Sequence, residues 1–281
     1  MTTPATNPAL PLAHHPLGRT GLRVAPVALG TVKLGRELGL KYPSPSRLPT
    51  DDEALELLRT ARDLGVNLID TAPAYGTSEE RLGKLWPRLF KRTQLILCTK
   101  VGERFDPATQ TSTYDFSNAH IHASIERSLA RLGVAEIDIA LLHFRSNDDL
   151  DERTLHLGQA LGTLRQLQTK GLIRAVGASI GTPAGGALAA QLCDVVMLSL
   201  NATAADGVAG DVQTLAACVA RGPGQVGVLI KKPLASGHGA VSPATGIARV
   251  LTQPGVNAAV VGTSNPAHLR QLAHAAGQIA R

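Results

Sequence analysis

Residues 24–38 read VAPVALGTVKLGREL. The run from Val24 to Gly30 has no charged or strongly polar side chain, the pattern of a strand covered on both faces. The residues after it decide which kind of α/β sheet the strand enters. An open, doubly wound sheet that binds a dinucleotide carries GxGxxG at this first strand-to-helix turn. TVKLGREL, residues 31–38, does not match it.

Seven further runs of the same kind follow: NLIDTA (67–72), QLILCTKVG (94–102), IDIALLHF (137–144), IRAVGASI (173–180), DVVMLSLNA (194–202), GVLIKKPL (227–234) and AAVVGTS (258–264). Segments of helical periodicity alternate with them, among them 51–65, 77–86, 117–133, 154–171, 182–193, 211–222, 243–253 and 266–276. Asp51 and Ser117 read as helix starts, and Gly65, Gly133 and Gly171 as stops. Eight apolar strands, each followed by a helix, predict a parallel sheet closed into a (β/α)8 TIM barrel. LGRTGL (17–22) reads as a short N-terminal hairpin or turn segment leading into it. Residues 1–15, rich in Pro, Thr and Ala, are expected to form a disordered tail, and residues 16–281 one catalytic barrel domain.

Composition agrees with a globular chain. Of 281 residues, 44% are hydrophobic, 18% charged and 3% aromatic, so Ala, Val, Leu and Ile must build the core. Cys98, Cys193 and Cys218 have no metal-ligand or CxxC spacing, which points to free thiols in a reducing compartment. No apolar window reaches the ~18 residues of a membrane span, and the N-terminus lacks a secretory pattern. A cytoplasmic location is therefore expected. The net charge of +6 is dispersed, with no basic stripe or aromatic platform, so no nucleic-acid partner is expected. It suits the steering of an anionic small molecule. His120 and His122 are two apart on a helical segment and face different ways, so no metal site is expected.

Barrel enzymes carry their chemistry at the C-terminal ends of the strands. Four groups interrupt the apolar runs there: Asp70, Tyr75 five residues beyond it, Lys100 and His143. Reducing a carbonyl takes a hydride, which a cofactor supplies, and a proton. A phenol has a pKa near 10, a neighbouring ammonium lowers it, and a carboxylate keeps that ammonium charged. An imidazole within reach orients and polarises the substrate oxygen.

The chain resembles the aldo-keto reductase family along nearly its whole length, through LGRTGLRVAPVALGT, GVNLIDTAPAYGTSEERLG, LCTKVG, IDIALLHF, KGLIRAVGAS and AAVVGTSNPAHLRQL. The resemblance implies NAD(P)(H) extended across the barrel mouth without a Rossmann fold. It implies Tyr75 as general acid/base, Lys100 and Asp70 as the groups that tune it, and His143 as the group that orients the carbonyl. Gly30, Thr31, Asp70, Ser179 and Asn201 then face the cofactor. Three nicotinamide positions depart from the family pattern. Ile180 follows Ser179 where Asn is usual, Met197 stands for a Gln, and Leu200 stands for a stacking Tyr. At the phosphate end, Lys232, Pro233 and Leu234 replace Ser-Pro-Leu. Thr263, Ser264 and His268 suit an adenosine 2′-phosphate at a helix start, whereas Leu272 replaces an adenine-contacting Asn. NADP(H) is therefore expected ahead of NAD(H), with a small carbonyl or sugar as substrate. The alternative is a barrel that keeps these four groups but acts as a binding or regulatory protein.

Overall fold

The computed structural model describes residues 11–40, 43, 47–145, 149–205 and 207–279. Eight parallel strands make the central sheet: β1 (Val27–Gly30), β2 (Leu68–Asp70), β3 (Ile96–Val101), β4 (Ile137–His143), β5 (Ile173–Ser179), β6 (Val195–Ala202), β7 (Gly227–Lys231) and β8 (Ala258–Gly262). Each pairs with its neighbours in chain order, and β8 pairs with β1 from Ala259↔Val27 to Gly262↔Gly30. The pairing of β5 with β6, from Gly177↔Val195 to Ser179↔Met197, completes the ring. The fold is a closed (β/α)8 barrel.

The helices between and after the strands are α1 (Asp51–Asp63), α2 (Ser78–Leu85), α3 (Asn118–Leu132), α4 (Gln159–Thr169), α5 (Pro183–Leu192), α6 (Val212–Ala220), α7 (Pro243–Leu251) and α8 (Pro266–Gly277). Their ends follow from local chemistry. Thr50, one residue before the expected start, caps α1 in a reciprocal capping box with Glu53. The Ser117 side chain accepts from the His120 N–H at the start of α3, and Gly133 ends that helix at φ 67°. The single helix expected over 154–171 is instead two, Leu150–Leu157 and α4. Gly158 separates them at φ 71°, a left-handed conformation that costs glycine nothing.

Strand alternation sorts the side chains into two layers. Ala28, Leu68, Cys98, Ile139, Ala175, Val195, Leu229 and Ala258 fill the barrel interior. Leu29, Ile69, Leu97, Ala140, Val176, Val196, Ile230 and Ala259 face the helices. The interior is closed from below by Leu17, Leu22 and Val24, which belong to the same apolar cluster. They come from a hairpin in which His15–Pro16 pairs antiparallel with Arg23–Val24 around the LGRTGL turn. The first strand expected over 24–31 thus divides between this hairpin and β1. Of the expected tail, residues 1–10 lie outside the described residues. Leu12 is buried and its N–H donates to the Leu64 carbonyl at 2.9 Å.

Two additions frame the mouth. A hairpin of Glu103–Asp106 and Thr111–Tyr114 rises after β3. A short strand, Val208–Gly210, returns antiparallel along the end of β6. The stretch FRSNDD (144–149), which follows His143 and from its position in the sequence should shape the pocket, has its residues 146–148 outside the described residues. Among the described residues, no helix is long and apolar enough to cross a membrane.

Candidate active site

The same alternation that puts Leu68, Cys98 and Leu141 inside the barrel turns Asp70, Lys100 and His143 inward at its C-terminal rim. Lys100 is 1% exposed, and its Nζ donates to Asp70 Oδ1 at 2.6 Å and to the Thr71 carbonyl at 2.9 Å. Such a pair satisfies two charges whose separate burial would be very costly. Desolvation opposes the Lys100 ammonium, but Asp70 overcomes it and holds the pKa above the ordinary lysine value.

Tyr75 comes over this pair from the loop after β2. Its backbone N–H donates to the Ala72 carbonyl at 3.0 Å. The loop rests directly on the β1 loop: a side chain at Gly35 would collide with the Tyr75 carbonyl, and one at Gly76 with the Gly35 carbonyl. Lys100 Nζ lies 4.8 Å from the centroid of the Tyr75 ring. The His143 ring stands edge-on to Tyr75, at 6.1 Å between centroids and 80° between planes. The four groups singled out from the sequence therefore share one rim.

One electrostatic expectation is corrected. Lys100 was expected to bring the Tyr75 phenol below its ordinary pKa, whereas burial pushes it up to about 12 against the pull of Lys100. Desolvation of a phenolate outweighs one ammonium already shared with a carboxylate. The phenol is held protonated.

His143 has a partner that the sequence reading missed. Its Nδ1 lies 2.8 Å from Glu103 Oε2, and Ser112 Oγ donates to the other Glu103 oxygen at 2.6 Å. Burial lowers the His143 pKa below its ordinary value, and Glu103 opposes this only in part. For Glu103, burial pushes upward, but His143, Ser112 and Arg36 outweigh it and hold the carboxyl at about 2. The signal in the sequence was an acidic residue three positions beyond Lys100 on the same strand exit. The hairpin that turns it back over the mouth was not legible there.

A cavity of about 670 Å³ opens above these groups. Its lining includes Gly30, Thr31, Asp70, Ser179, Lys232, Pro233, Leu234, Thr263 and His268 among the positions expected to face a cofactor. Asn201 and Ser264 are not among the lining residues. Asn201 is taken up in the antiparallel pairing with Ala209. Leu200 is fully buried in the layer facing the helices and does not stand over the mouth. The residue that does is Lys231, at the inward-facing end of β7, which the sequence reading passed over for Lys232. Its Nζ donates to Ser179 Oγ at 3.1 Å and to the Ile180 carbonyl at 2.6 Å.

The cavity's donor set fits a dinucleotide. From the rim its lining continues past Lys232 to Thr263, His268, Gln271 and Leu272 at the start of α8. Asn265 caps that helix by accepting from the Ala267 N–H at 2.8 Å, and the partial positive charge of a helix start favours an anion. The backbone between β7 and α7 is drawn tight there, with Lys232, Ala235 and Ser236 all at positive φ (54°, 49° and 55°). Among the described residues, no group of three or more His, Cys, Asp or Glu is placed to hold a metal ion.

This fold and rim define a class of barrel that the comparisons with known proteins name. The chain belongs to the Aldo/keto reductase family, whose model matches residues 26–208. It is similar to a solved structure from Pseudomonas aeruginosa assigned to the aldo-keto reductases, at 41% identity and a TM-score of 0.79, over 94% of this chain and 95% of that one. It is also similar to the D-threo-aldose 1-dehydrogenase of a Pseudomonas species, 33% identical over 50% of this chain and 47% of that one. The NADH-specific methylglyoxal reductase of Escherichia coli is 30% identical over 58% of this chain and 51% of that one. The chain thus spans about half the length of these two curated relatives.

Proposed function

We propose that the protein is an NADP(H)-dependent reductase that converts an aldehyde or ketone to an alcohol, with Tyr75 as proton donor and residues 16–281 as one catalytic domain. The observation that carries this reading is the stacked rim: a phenol kept protonated by burial, its ring centroid 4.8 Å from an ammonium that is itself locked 2.6 Å from a carboxylate. The cofactor supplies the hydride when bound. Gly30, Thr31 and Ser179 would hold its nicotinamide end, and Lys232, Thr263 and His268 its phosphates, all of them lining one cavity. Tyr75 gives its proton to the carbonyl oxygen as negative charge develops there. Lys100 then lies beside the phenolate oxygen's ring, where its charge is worth most.

The His143 role follows from its partner. With Nδ1–H directed at Glu103, the neutral ring offers Nε2 to the mouth as an acceptor, suited to an alcohol hydroxyl. The imidazolium, which Glu103 helps to form, offers a donor suited to a carbonyl. NADP(H) is favoured over NAD(H) by Thr263 and His268 at the start of α8, where a 2′-phosphate would sit. The substrate is a small carbonyl compound or sugar, an inference supported by the aldose-oxidising and methylglyoxal-reducing relatives. Three cysteines, all buried and free, suit a reducing, cytoplasmic setting.

Met197, a thioether on the cavity wall where the family pattern carries an amide, favours a second reading, a barrel that serves as a binding or regulatory protein. One pair of measurements separates the two. The reductase reading expects NADPH to raise the melting temperature. It also expects Tyr75→Phe to cut kcat by roughly 10²–10⁴-fold while the NADPH Kd stays within about threefold. Unchanged turnover in Tyr75→Phe ends the assignment of the acid. A Kd beyond millimolar for both NADPH and NADH leaves the second reading standing.

A further inference from the structure

The rim holds three basic side chains that point inward, and two of them have an acidic partner. Lys100 has Asp70 at 2.6 Å and His143 has Glu103 at 2.8 Å. Lys231 has none: among the described residues, its Nζ bonds only to a hydroxyl, Ser179 Oγ, and a carbonyl, that of Ile180. Two aspartates act on it from further away, and both are committed elsewhere. Asp211 accepts from the Ser199 N–H at 2.7 Å. Asp151 accepts from the Gly181 and Thr182 N–H groups, each at 2.8 Å. An ammonium has three donors. Two are used, and the third belongs to a side chain that lines the cavity beside Ser179 and Met197.

We propose that Lys231 selects the redox form of the nicotinamide cofactor, its uncompensated ammonium favouring the neutral dihydronicotinamide over the cationic oxidised ring. The inference rests on the cofactor reading above and deepens it. Met197 offers no side-chain donor to a carboxamide and Ser179 offers only a neutral hydroxyl, which already accepts from Lys231, so Lys231 is the charged donor on this wall. The same group carries a full charge, and a charge discriminates between two forms of a ligand that differ by one charge. When the ring gives up its hydride with both electrons, it becomes positive beside a positive neighbour. The effect therefore helps to load reduced cofactor and to expel oxidised cofactor. It also makes the bound couple less reducing, by about 30 mV for each tenfold of binding preference.

Desolvation, aided by Lys232 and Lys100, lowers the Lys231 pKa to about 8, with Asp211 and Asp151 opposing. The His143 ring is also close enough to feel it. The preference is thus expected to fade as pH rises through this range, because the ammonium that causes it is lost.

Calorimetric titration of the full-length protein with NADPH and with NADP+ tests the idea. The readout is the ratio of the two dissociation constants. Lys231→Met keeps the length of the side chain without the charge, and is expected to lower the oxidised-to-reduced ratio by about tenfold or more. Lys231→Arg is expected to keep the ratio near that of the wild type. Between pH 7 and 9.5 the wild-type ratio is expected to fall toward that of Lys231→Met, while the variant's stays level. A side chain that merely ties β7 to β5 would weaken both forms alike, so equal ratios in wild type and Lys231→Met overturn the proposal. Should Lys231→Met fail to fold, a pH-independent ratio in the wild type overturns it equally. If neither form binds the wild type at millimolar concentration, the cofactor reading itself falls, a result distinct from binding without discrimination.

Discussion

Glu103 shows how one side chain sets the state of another. Its carboxylate, held at about 2, stays ionised across the working range and raises the proton affinity of His143 against burial. Removing that charge while keeping the shape, as in Glu103→Gln, leaves burial unopposed, and the His143 pKa must fall further. If the imidazolium helps to polarise the carbonyl, the pH profile of kcat/KM for reduction should move toward acid by about one unit or more. At neutral pH kcat/KM should drop because less of the donor form is present. Profiles from pH 5 to 9 for both proteins check this, and superimposable curves would mean that the pair only braces the ring. The residue scale is also where the sequence was read best. Asp70, Lys100 and His143 each interrupt an apolar strand at its end, where barrel geometry gives an ionisable group one direction to point. Tyr75 was legible through its spacing from Asp70. Its raised pKa was not, because desolvation depends on what covers the ring.

At the scale of elements, strands and helices were legible because each repeats one pattern eight times. The bottom plug was less so. LGRTGL reads as a turn, and nothing local says that Leu17, 0% exposed, enters the barrel interior. There it meets Gly227 so closely that a side chain at 227 would strike it. That contact predicts a mutation with a clean division of effects. Leu17→Ala should cost about 2–5 kcal/mol, read as a lower urea midpoint, because the cavity it leaves is walled by a closed sheet that relaxes little. The NADPH Kd should stay within about twofold, since the mouth lies at the opposite end of the strands. A stability loss under 1 kcal/mol would show that the hairpin is not part of the cooperative core. The end of β6 was also hard to read. Alternation turns Leu200 toward the helices with Val196 and Leu198, the return strand Val208–Gly210 pairs along that end, and three residues of weak pattern give no warning of it. Lys231 and Lys232 look interchangeable in sequence. Counting alternation from Leu229 puts Lys231 inside, and that count needs the strand end, which KKPL leaves undefined.

On the scale of the whole molecule, charge is unevenly spread even though the sequence scatters its lysines and arginines. The cavity is lined by Lys33, Arg36, Lys100, Arg145, Lys231 and Lys232 against Asp70 and Glu103. A concave, positive mouth focuses the field on an approaching anion. It also gives the +6 net charge a location that composition could not. Association with a phosphorylated cofactor should therefore be fast at low salt and slow as ions screen it, the Debye length shrinking from about 30 Å at 0.01 M to about 10 Å at 0.1 M. NADPH and NADH differ by the 2′-phosphate, which the reading above puts near Thr263, His268 and the start of α8. If that end of the cavity holds the extra phosphate, the logarithm of the association rate should fall more steeply with salt for NADPH than for NADH. Stopped-flow rates from 0.01 to 0.3 M NaCl separate the slopes. Equal slopes with equal affinities would mean that the far end of the cavity ignores the phosphate. The cofactor would then be NAD(H), with Lys232 acting on the pyrophosphate alone.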